Sequence, residues 1–389
     1  MQNSEVSRRT WSAGSERSEP DSYRKVVEKH LRPARNQNTF RARVNMLIPD
    51  ILKNSCECLG TIEPKHLHSP LTPQQIHESL LKTAIWPDSR NTPVFDIPKP
   101  GESVCLVVSD QTRQTGVDAI LPIMVEEMTK NGCRMRDMFI LFASGIHRHP
   151  TIEEQTSIIG PRMMKEFQER IFLHNPDSDL TMVGTTKRGN EVKINRRAVE
   201  ADRLILFGSV IYHYHAGYGG GRKSLVPGLA GRDTIAHNHG LSLGSGENYF
   251  HPMAAAGILN KNPVAEEMLE SARMCEPDAI INTVLDRKRN IIGVFSGDLD
   301  MTHRSACSLV DKTYKVNISR QADIVIASAS SAPNWIQSHK ALYNAHRAVK
   351  PDGKIILIAP CPEGLGDERF RHWIKSGDAK IIREKLKGS

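Results

Sequence analysis

The chain has 389 residues, of which 39% are apolar and 25% are charged. This composition is typical of globular proteins and excludes an intrinsically disordered chain, and the length predicts two or three domains. The sequence contains no run of about 18 apolar residues, so we expect neither a transmembrane helix nor a membrane partner.

The net charge of +8 is unevenly distributed along the chain. Residues 1–45 carry a net charge of +5 and residues 375–389 carry +3, which leaves residues 46–374 formally neutral. A nucleic-acid-binding domain carries its basic surplus on the folded body, so we expect no nucleic-acid partner. The polar composition of residues 1–45 predicts a mobile basic tail.

The cysteines follow no regular spacing, and their odd number argues against a disulfide framework. They are Cys56, Cys58, Cys105, Cys133, Cys275, Cys307 and Cys361. A single residue separates the first two, which is fewer than common zinc-binding motifs have. The pattern predicts free thiols in a reducing compartment, and therefore a cytoplasmic protein.

Short apolar runs alternate with helix-like segments between residues 104 and 207. The predicted strands are 104–109, 138–143 and 204–207, and the predicted helices are 117–131 and a segment that begins after Thr151. Strands that alternate with helices indicate a parallel sheet covered by helices. In such sheets ligands gather at the carboxyl ends of the strands. Asp110, His147 and His213 lie at or just beyond such ends.

The same pattern continues towards the C-terminus of the chain. Predicted strands lie at 279–284, 291–295, 322–327 and 354–358, and predicted helices lie at 302–316 and 338–348. We place a domain boundary near residues 308–318. The predicted fold class is α/β, with one α/β domain over residues 46–310 and a second over residues 311–389, each with a parallel-type sheet.

A glycine-rich segment from His213 to Gly228, HYHAGYGGGRKSLVPG, is the densest unusual feature. It fails the P-loop pattern, because Arg222 stands where the second required glycine should be. Its glycines indicate positive φ angles or a backbone that passes close to a ligand, with Lys223 on a tight loop. The alternative is a surface turn with a solvated lysine.

Histidines occur in four His-x-His pairs, and alternation on a strand would place both members of a pair on one face. The pairs are His66/His68, His147/His149, His213/His215 and His237/His239. A metal pair is one interpretation, and ordinary loop histidines are the other. No complete set of protein ligands surrounds His239 in the sequence, whereas a metal carried by a bound cofactor would need a single histidine.

Two further segments carry polar residues suited to binding a carboxylate. Arg113 follows Asp110 after a predicted strand and can clamp a carboxylate with two hydrogen bonds. The alternative is an Asp–Arg pair that caps the next helix. Gln337 and Lys340 share one face of a predicted helix, where a solvated helix start is the alternative.

Taken together, these segments resemble the lactate racemase family, whose members use a nickel-pincer nucleotide. The shared motifs, in the family's order over roughly residues 45–375, are Asp110-Gln-Thr-Arg113, Gly145-Ile-His147-Arg148, His213, Gly219-Gly-Gly-Arg-Lys223, Pro227-Gly228, Asn238-His239, Asn262-Pro263 and Gln337-Ser-His-Lys340-Ala-Leu. The resemblance implies two α/β domains, with the active site in the cleft between them.

The resemblance also implies roles for individual residues. Lys223 would tether the cofactor through a thioamide, His239 would be the protein ligand to nickel, and His147 and His213 would be the acid/base pair. Asp110 would contact the cofactor and line the substrate pocket. The other implied contacts are Gly219, Gly220 and Gly221 to the cofactor, and Arg113, Gln337 and Lys340 to the substrate. Cofactor-biosynthesis proteins are the implied protein partners.

The implied reaction is racemisation or epimerisation of a 2-hydroxy acid through hydride transfer and a 2-keto acid. Many relatives continue beyond the point that corresponds to Ser389, so lactate, a sugar acid and a dicarboxylate are all candidate substrates. A relative that only binds the cofactor or a carboxylate is the alternative, although simple binding does not need two bases. An NAD-dependent dehydrogenase ranks last, because no G-x-G-x-x-G motif follows a strand.

Overall fold

The computed structural model describes residues 68–82, 84–88, 92–244, 250–329, 332–366, 368–375, 377–378 and 381–382. The predicted basic tail, Cys56, Cys58 and His66 lie outside these residues. Two compact units make up the described chain, and they separate after Ile318. The boundary predicted at 310/311 falls inside a helix, Met301–Tyr314.

Eleven strands lie in the described part of the first unit, and seven of them form its central sheet. The strands are β1 (Ala84–Ile85), β2 (Val104–Ser109), β3 (Met138–Ala143), β4 (Ile171–Leu173), β5 (Leu180–Thr185), β6 (Glu191–Asn195), β7 (Arg203–Ser209), β8 (Tyr212–His213), β9 (Gly217–Tyr218), β10 (Ala279–Leu285) and β11 (Ile291–Gly297). The order in the sheet is β1-β11-β10-β7-β2-β3-β4. This mostly parallel sheet confirms the predicted α/β class.

One pair of strands departs from the predicted parallel arrangement. β11 runs antiparallel to β10, whereas the other neighbours in the sheet are parallel. The connection between β10 and β11 contains no helix, and a parallel crossover needs a dozen or more residues. The Asp286 carboxylate shapes this short turn by accepting hydrogen bonds from the backbone N–H groups of Lys288 and Asn290.

Helices cover both faces of the central sheet. The helices of the first unit are α1 (Pro73–Lys82), α2 (Val117–Lys130), α3 (Ile152–Phe167), α4 (Arg196–Glu200), α5 (Arg232–Gly240), α6 (Pro263–Arg273) and α7 (Met301–Tyr314). Along β2, Val104 and Leu106 belong to one buried apolar cluster, while Cys105 and Val107 belong to another. Burial on both faces explains why this strand is a continuous apolar run.

The second unit has a small α/β core of its own. It contains β12 (Ala322–Ser328), α8 (Trp335–His346), β13 (Val349–Ile358) and α9 (Glu368–Lys375), and its two strands are parallel. Helix α8 begins three residues earlier than predicted, because the Asn334 side chain caps it by accepting a hydrogen bond from the backbone of Gln337. None of the helices in the described parts of both units is long and apolar enough to cross a bilayer.

A buried histidine is expected to make stability depend on pH. His174 follows β4 and is fully buried; its Nε2–H donates to the Ala230 carbonyl at 3.0 Å, and burial lowers its pKa to about 4. Between pH 6.5 and 4 the unfolded chain therefore binds a proton that the native protein excludes. His174 alone should therefore lower the free energy of unfolding by about 3 kcal/mol between pH 6.5 and pH 4.

Urea unfolding at several pH values measures this dependence. His174→Gln removes the titrating group while keeping a side-chain N–H donor, so its free energy of unfolding should fall less from pH 6.5 to 4. An identical pH dependence in the wild-type protein and His174→Gln would show that another group is responsible.

Candidate active site

Three adjacent parallel strands bring the candidate residues to one edge of the sheet. β7, β2 and β3 are neighbours in that order, and their carboxyl ends therefore lie side by side. Asp110 follows β2, His147 lies in the loop after β3, and His213 lies just beyond β7. The structure thus brings together residues that are far apart in sequence.

A buried carboxylate orients the first histidine. Asp110 is 2% exposed, and its Oδ2 accepts a hydrogen bond of 2.7 Å from Nδ1–H of His147. Its Oδ1 accepts bonds from the hydroxyl and the backbone N–H of Thr112. Because a carboxylate can only accept here, the neutral His147 ring carries its proton on Nδ1 and keeps a lone pair on Nε2.

Gly145 holds the loop after β3 against the glycine-rich segment. Its N–H donates to the Gly228 carbonyl at 2.9 Å. Its φ of +54° is a backbone angle that residues with a side chain rarely adopt. A Cβ atom at this position would lie 3.1 Å from the Pro227 carbonyl oxygen. The glycine therefore allows the close approach that places His147 near the segment carrying Lys223.

Protein contacts hold the glycine-rich loop in place. The N–H of Gly221 donates to Oδ1 of Asn282 at 2.9 Å, and the Gly219 carbonyl accepts from Nε2–H of His303 at 2.8 Å. A Cβ atom on Gly220 would lie 2.8 Å from the same Asn282 oxygen. Gly220 and Gly221 thus make room for the protein's own atoms, and the predicted contact of the glycines with a cofactor stays a prediction. Lys223 lies on the short 3₁₀ helix that follows.

His213 lies on β8, where it is half-buried and has positively charged side chains around it. Its ring stacks on Tyr214 with centroids 4.9 Å apart, and the His215 ring meets it edge-on at 4.4 Å. Burial first, and then the positive charge of Lys223, hold the pKa of His213 well below its usual value. Its Nδ1 accepts a hydrogen bond from the Ala216 backbone N–H, so the neutral ring carries its proton on Nε2.

His239 near the end of α5 shows the arrangement expected of a metal ligand. Its Nδ1–H donates to the Ile235 carbonyl at 3.0 Å, which keeps the lone pair on Nε2. Burial, followed by the charge of Lys223, lowers the pKa of His239 to about 4, so this nitrogen is deprotonated at neutral pH.

The metal-binding side chains at this site fit a metal ion whose other ligands belong to a bound cofactor. Within the described ranges, no group of three or more His, Cys, Asp or Glu side chains is arranged to hold a metal ion. A nickel ion held mainly by a nucleotide needs one protein ligand, and the Nε2 lone pair of His239 suits that position. The charge of Lys223 contributes to the low pKa of both His213 and His239, and the attachment of such a group to Lys223 stays a prediction.

The predicted substrate-binding residues lie in both units. Arg113 is exposed in the loop after β2, and its charge contributes to the low pKa of His213. In the second unit Gln337 and Lys340 lie on α8, where Nζ of the lysine donates to Oε1 of the glutamine at 2.5 Å. Their contacts with a substrate, and the expected position of the site between the two domains, stay predictions.

Several residues around the site were not predicted from sequence. Thr112 bonds to Asp110, and His303 supports the glycine-rich loop from α7. His215 was predicted only as a member of a His-x-His pair. The centroid of its ring lies 4.9 Å from that of His239. The spacing of the His-x-His pairs was the one available signal, because the other contacts depend on the fold.

Replacing Asp110 with asparagine is expected to lower kcat by about 10²- to 10⁴-fold, with a smaller change in KM. The asparagine amide would donate to Nδ1 of His147 and so move the ring proton to Nε2. Nitrogen NMR of the His147 ring would show the change of tautomer directly. Asp118→Asn, on the exposed face of α2, is the matched control. An unchanged tautomer in Asp110→Asn would rule out this orienting role.

Two family models match most of the described chain. The lactate racemase N-terminal domain matches residues 52–249, and the lactate racemase C-terminal domain matches residues 317–387. The lactate racemase of Thermoanaerobacterium thermosaccharolyticum is 31% identical over 79% of this chain and 72% of its own length. That of Lactiplantibacillus plantarum is 32% identical over 78% of this chain and 70% of its own length.

Solved structures support the same relationship. The lactate racemase apoprotein from T. thermosaccharolyticum aligns with a TM-score of 0.73 and 28% identity, over 82% of this chain and 75% of that chain. A Thermotoga maritima protein aligns with a TM-score of 0.53 over 67% of this chain and 64% of that chain, and at 20% identity it supports the fold alone. The matching domain models and the relatives above 30% identity together show that the chain belongs to the lactate racemase family.

Proposed function

We propose that the protein racemises lactate or a related 2-hydroxy acid by reversible hydride transfer through a 2-keto acid. The observation that carries the proposal is the pair of histidines in opposite tautomers beside Lys223 and His239. His147 presents a lone pair on Nε2, whereas His213 presents an N–H on Nε2. The family relatives named as lactate racemases support lactate as the first substrate to test.

Lys223 would hold the nickel-pincer nucleotide and His239 would ligate its nickel, and the bound group would supply the hydride acceptor. This supply matters because C2 of a 2-hydroxy acid is a weak carbon acid, whereas loss of hydride gives a stable ketone. The protein's own task is then limited to the hydroxyl proton, the carboxylate and the orientation of the substrate.

His147 accepts the hydroxyl proton in one direction. Its Nε2 lone pair is available because Nδ1–H is committed to Asp110. The buried Asp110 carboxylate offsets the positive charge that develops on the ring, and the hydrogen bond keeps the ring in position. Arg113 would hold the substrate carboxylate with two hydrogen bonds from its planar guanidinium group.

His213 is the second acid/base residue and exchanges a proton with the substrate oxygen. Its Nδ1 is committed to the Ala216 N–H, so it exchanges protons with a substrate through Nε2. The charge of Lys223 is one cause of its low pKa. A lysine tethered as a thioamide is uncharged, so attachment at this position would remove one of the causes that lower the pKa of His213, while burial, the largest cause, would remain.

The test uses protein loaded with the nickel cofactor, with loading verified by intact mass. Single enantiomers of lactate, a sugar acid and a dicarboxylic 2-hydroxy acid are incubated separately and followed by chiral chromatography. We expect D- and L-lactate to approach the same equimolar mixture. If the loaded protein inverts none of these acids, the binding-only alternative replaces the proposed racemase.

A further inference from the structure

The hairpin that carries His213 is too short to be stable on its own. Its strands, β8 and β9, have two residues each, and they pair Tyr212 with Tyr218 and His213 with Gly217. A single two-stranded hairpin is at best marginally stable in water. The position of the His213 ring therefore depends on the contacts that hold this hairpin against the rest of the first unit.

Asp311 on α7 contacts both strands of the hairpin. Its Oδ1 accepts one hydrogen bond of 2.7 Å from the hydroxyl of Tyr212 and another of 2.7 Å from the hydroxyl of Tyr218. Tyr212 directly precedes His213 in β8, and Tyr218 is its cross-strand partner. The centroids of the two phenol rings lie 5.3 Å apart. One carboxylate oxygen thus connects both strands of the hairpin to the same helix.

The burial of Tyr218 makes its hydrogen bond important for the position of the hairpin. Tyr218 is 3% exposed and belongs to a buried apolar cluster that includes Ala306, Cys307 and Val310 of α7. Burial, followed by the hydrogen bond to Asp311, raises the pKa of Tyr218, so the phenol keeps its proton and donates it. A buried hydroxyl without an acceptor destabilises a protein, so the native hairpin stays where Asp311 can accept.

A different residue of α7 contacts the loop that carries Lys223. His303 lies about two turns before Asp311, and its Nε2–H donates to the Gly219 carbonyl at 2.8 Å. The two ends of the glycine-rich segment therefore have separate contacts with this helix. A substitution at Asp311 should affect His213 and leave the position of Lys223 unchanged.

We infer that Asp311 is a positioning residue for His213 and acts through the two tyrosine hydroxyls. While the hairpin is held, Nδ1 of His213 accepts from the Ala216 backbone N–H, and Nε2–H is the proton that faces outward from this bond. Both tyrosine hydrogen bonds end on Oδ1 of Asp311, so the role needs an acceptor oxygen and not a negative charge. Asparagine also has an acceptor oxygen with two lone pairs and should replace Asp311 in this role.

Nitrogen NMR of the His213 ring tests this role on the protein without cofactor. Asp311→Leu removes the acceptor and keeps a side chain of similar size. We expect its His213 Nδ1 and Nε2 signals to move towards the values of exchanging tautomers, whereas Asp311→Asn should give wild-type signals. If Asp311→Leu does not fold, the double variant Tyr212→Phe/Tyr218→Phe, which removes the hydroxyls and keeps both rings, should show the same change.

The kinetic test rests on the proposed function and uses protein loaded with the nickel cofactor. Asp311→Leu should lower kcat for lactate by about 10- to 100-fold, with a smaller change in KM, because a misplacement of about 1 Å can cost this much. Asp311→Asn should stay within about threefold of the wild-type protein. Intact mass should show the Lys223 adduct in both variants, because His303 holds that loop.

Asp202→Leu is the matched control for Asp311→Leu. Oδ2 of Asp202 also accepts two hydrogen bonds of 2.8 Å each, from the backbone N–H and the hydroxyl of Ser103. These residues precede β7 and β2, at the end of the sheet opposite the candidate site. Asp202→Leu should keep the wild-type kcat and the wild-type His213 signals.

Four results would overturn the inference. They are unchanged His213 signals in Asp311→Leu, equal impairment of Asp311→Asn and Asp311→Leu, loss of the Lys223 adduct in Asp311→Leu, and the same effects in Asp202→Leu. If the loaded wild-type protein does not racemise lactate, the proposed function is contradicted, and the NMR comparison alone then decides the role of Asp311.

Discussion

Replacing Lys223 with alanine is expected to remove the covalently attached cofactor and, with it, all measurable racemisation. The attachment needs a primary amine at a fixed position, and the 3₁₀ helix that carries Lys223 is tied to the sheet through the Ser224 hydroxyl, which donates to the Phe207 carbonyl at 3.1 Å. Intact mass spectrometry of protein produced with the nickel cofactor measures the attachment directly.

Lys223→Arg separates the charge of this residue from its chemistry. It keeps a cation beside His213 and His239 but has no amine that can form a thioamide, so it should also lack the adduct. Lys187→Ala, an exposed lysine in the turn between β5 and β6, should retain the adduct in full. An adduct of unchanged mass on Lys223→Ala would place the attachment elsewhere and remove the basis for the assigned site.

Replacing His147 or His213 with alanine is expected to lower kcat by about 10²- to 10⁴-fold in each case, which is the usual contribution of a positioned acid or base. His147→Ala removes the ring whose Nε2 lone pair Asp110 orients, and His213→Ala removes the Nε2–H donor. Chiral analysis of lactate turnover by cofactor-loaded variants measures the loss. Added imidazole should restore part of the activity, which it would not do for a misfolded protein.

His149→Ala is the matched control for these variants. This histidine is the partner of His147 in a His-x-His pair, but its Nε2 bonds to the His174 backbone carbonyl at 2.9 Å. It should therefore keep activity within a few fold of the wild-type protein. A loss of less than about tenfold in both His147→Ala and His213→Ala would exclude the proposed acid/base roles.

The sequence predicted the strands and helices whose boundaries are determined by residues close together in the chain. β2 and β3 were correctly placed, because a strand buried on both faces is a continuous apolar run with clear ends. The N-cap of α3 was also predicted, since Thr151 and Glu154 form a capping box within one turn. The antiparallel direction of β11 was missed, because hydrophobic periodicity does not encode strand direction.

The candidate site was predictable where its residues are close in sequence, and less so where they are distant. The sequence predicted a site at His213, Lys223 and His239 because these residues cluster around one glycine-rich segment. Asp110 was paired in prediction with Arg113, yet its carboxylate orients His147, 37 residues away. His303 and Gly219 are 84 residues apart in the chain. Their contact could not be predicted, because no motif or spacing near either residue indicates it.

The fate of the hydrogen on C2 tests the central claim most directly. The two histidines could in principle remove that hydrogen as a proton, whereas the proposed function assigns them to the hydroxyl proton and lets the C2 hydrogen move as hydride. Lactate deuterated at C2 is incubated with the cofactor-loaded enzyme in ordinary water, and each product enantiomer is analysed by mass spectrometry. Retention of deuterium in the inverted product is the predicted result, and replacement of that deuterium by hydrogen from water would contradict it.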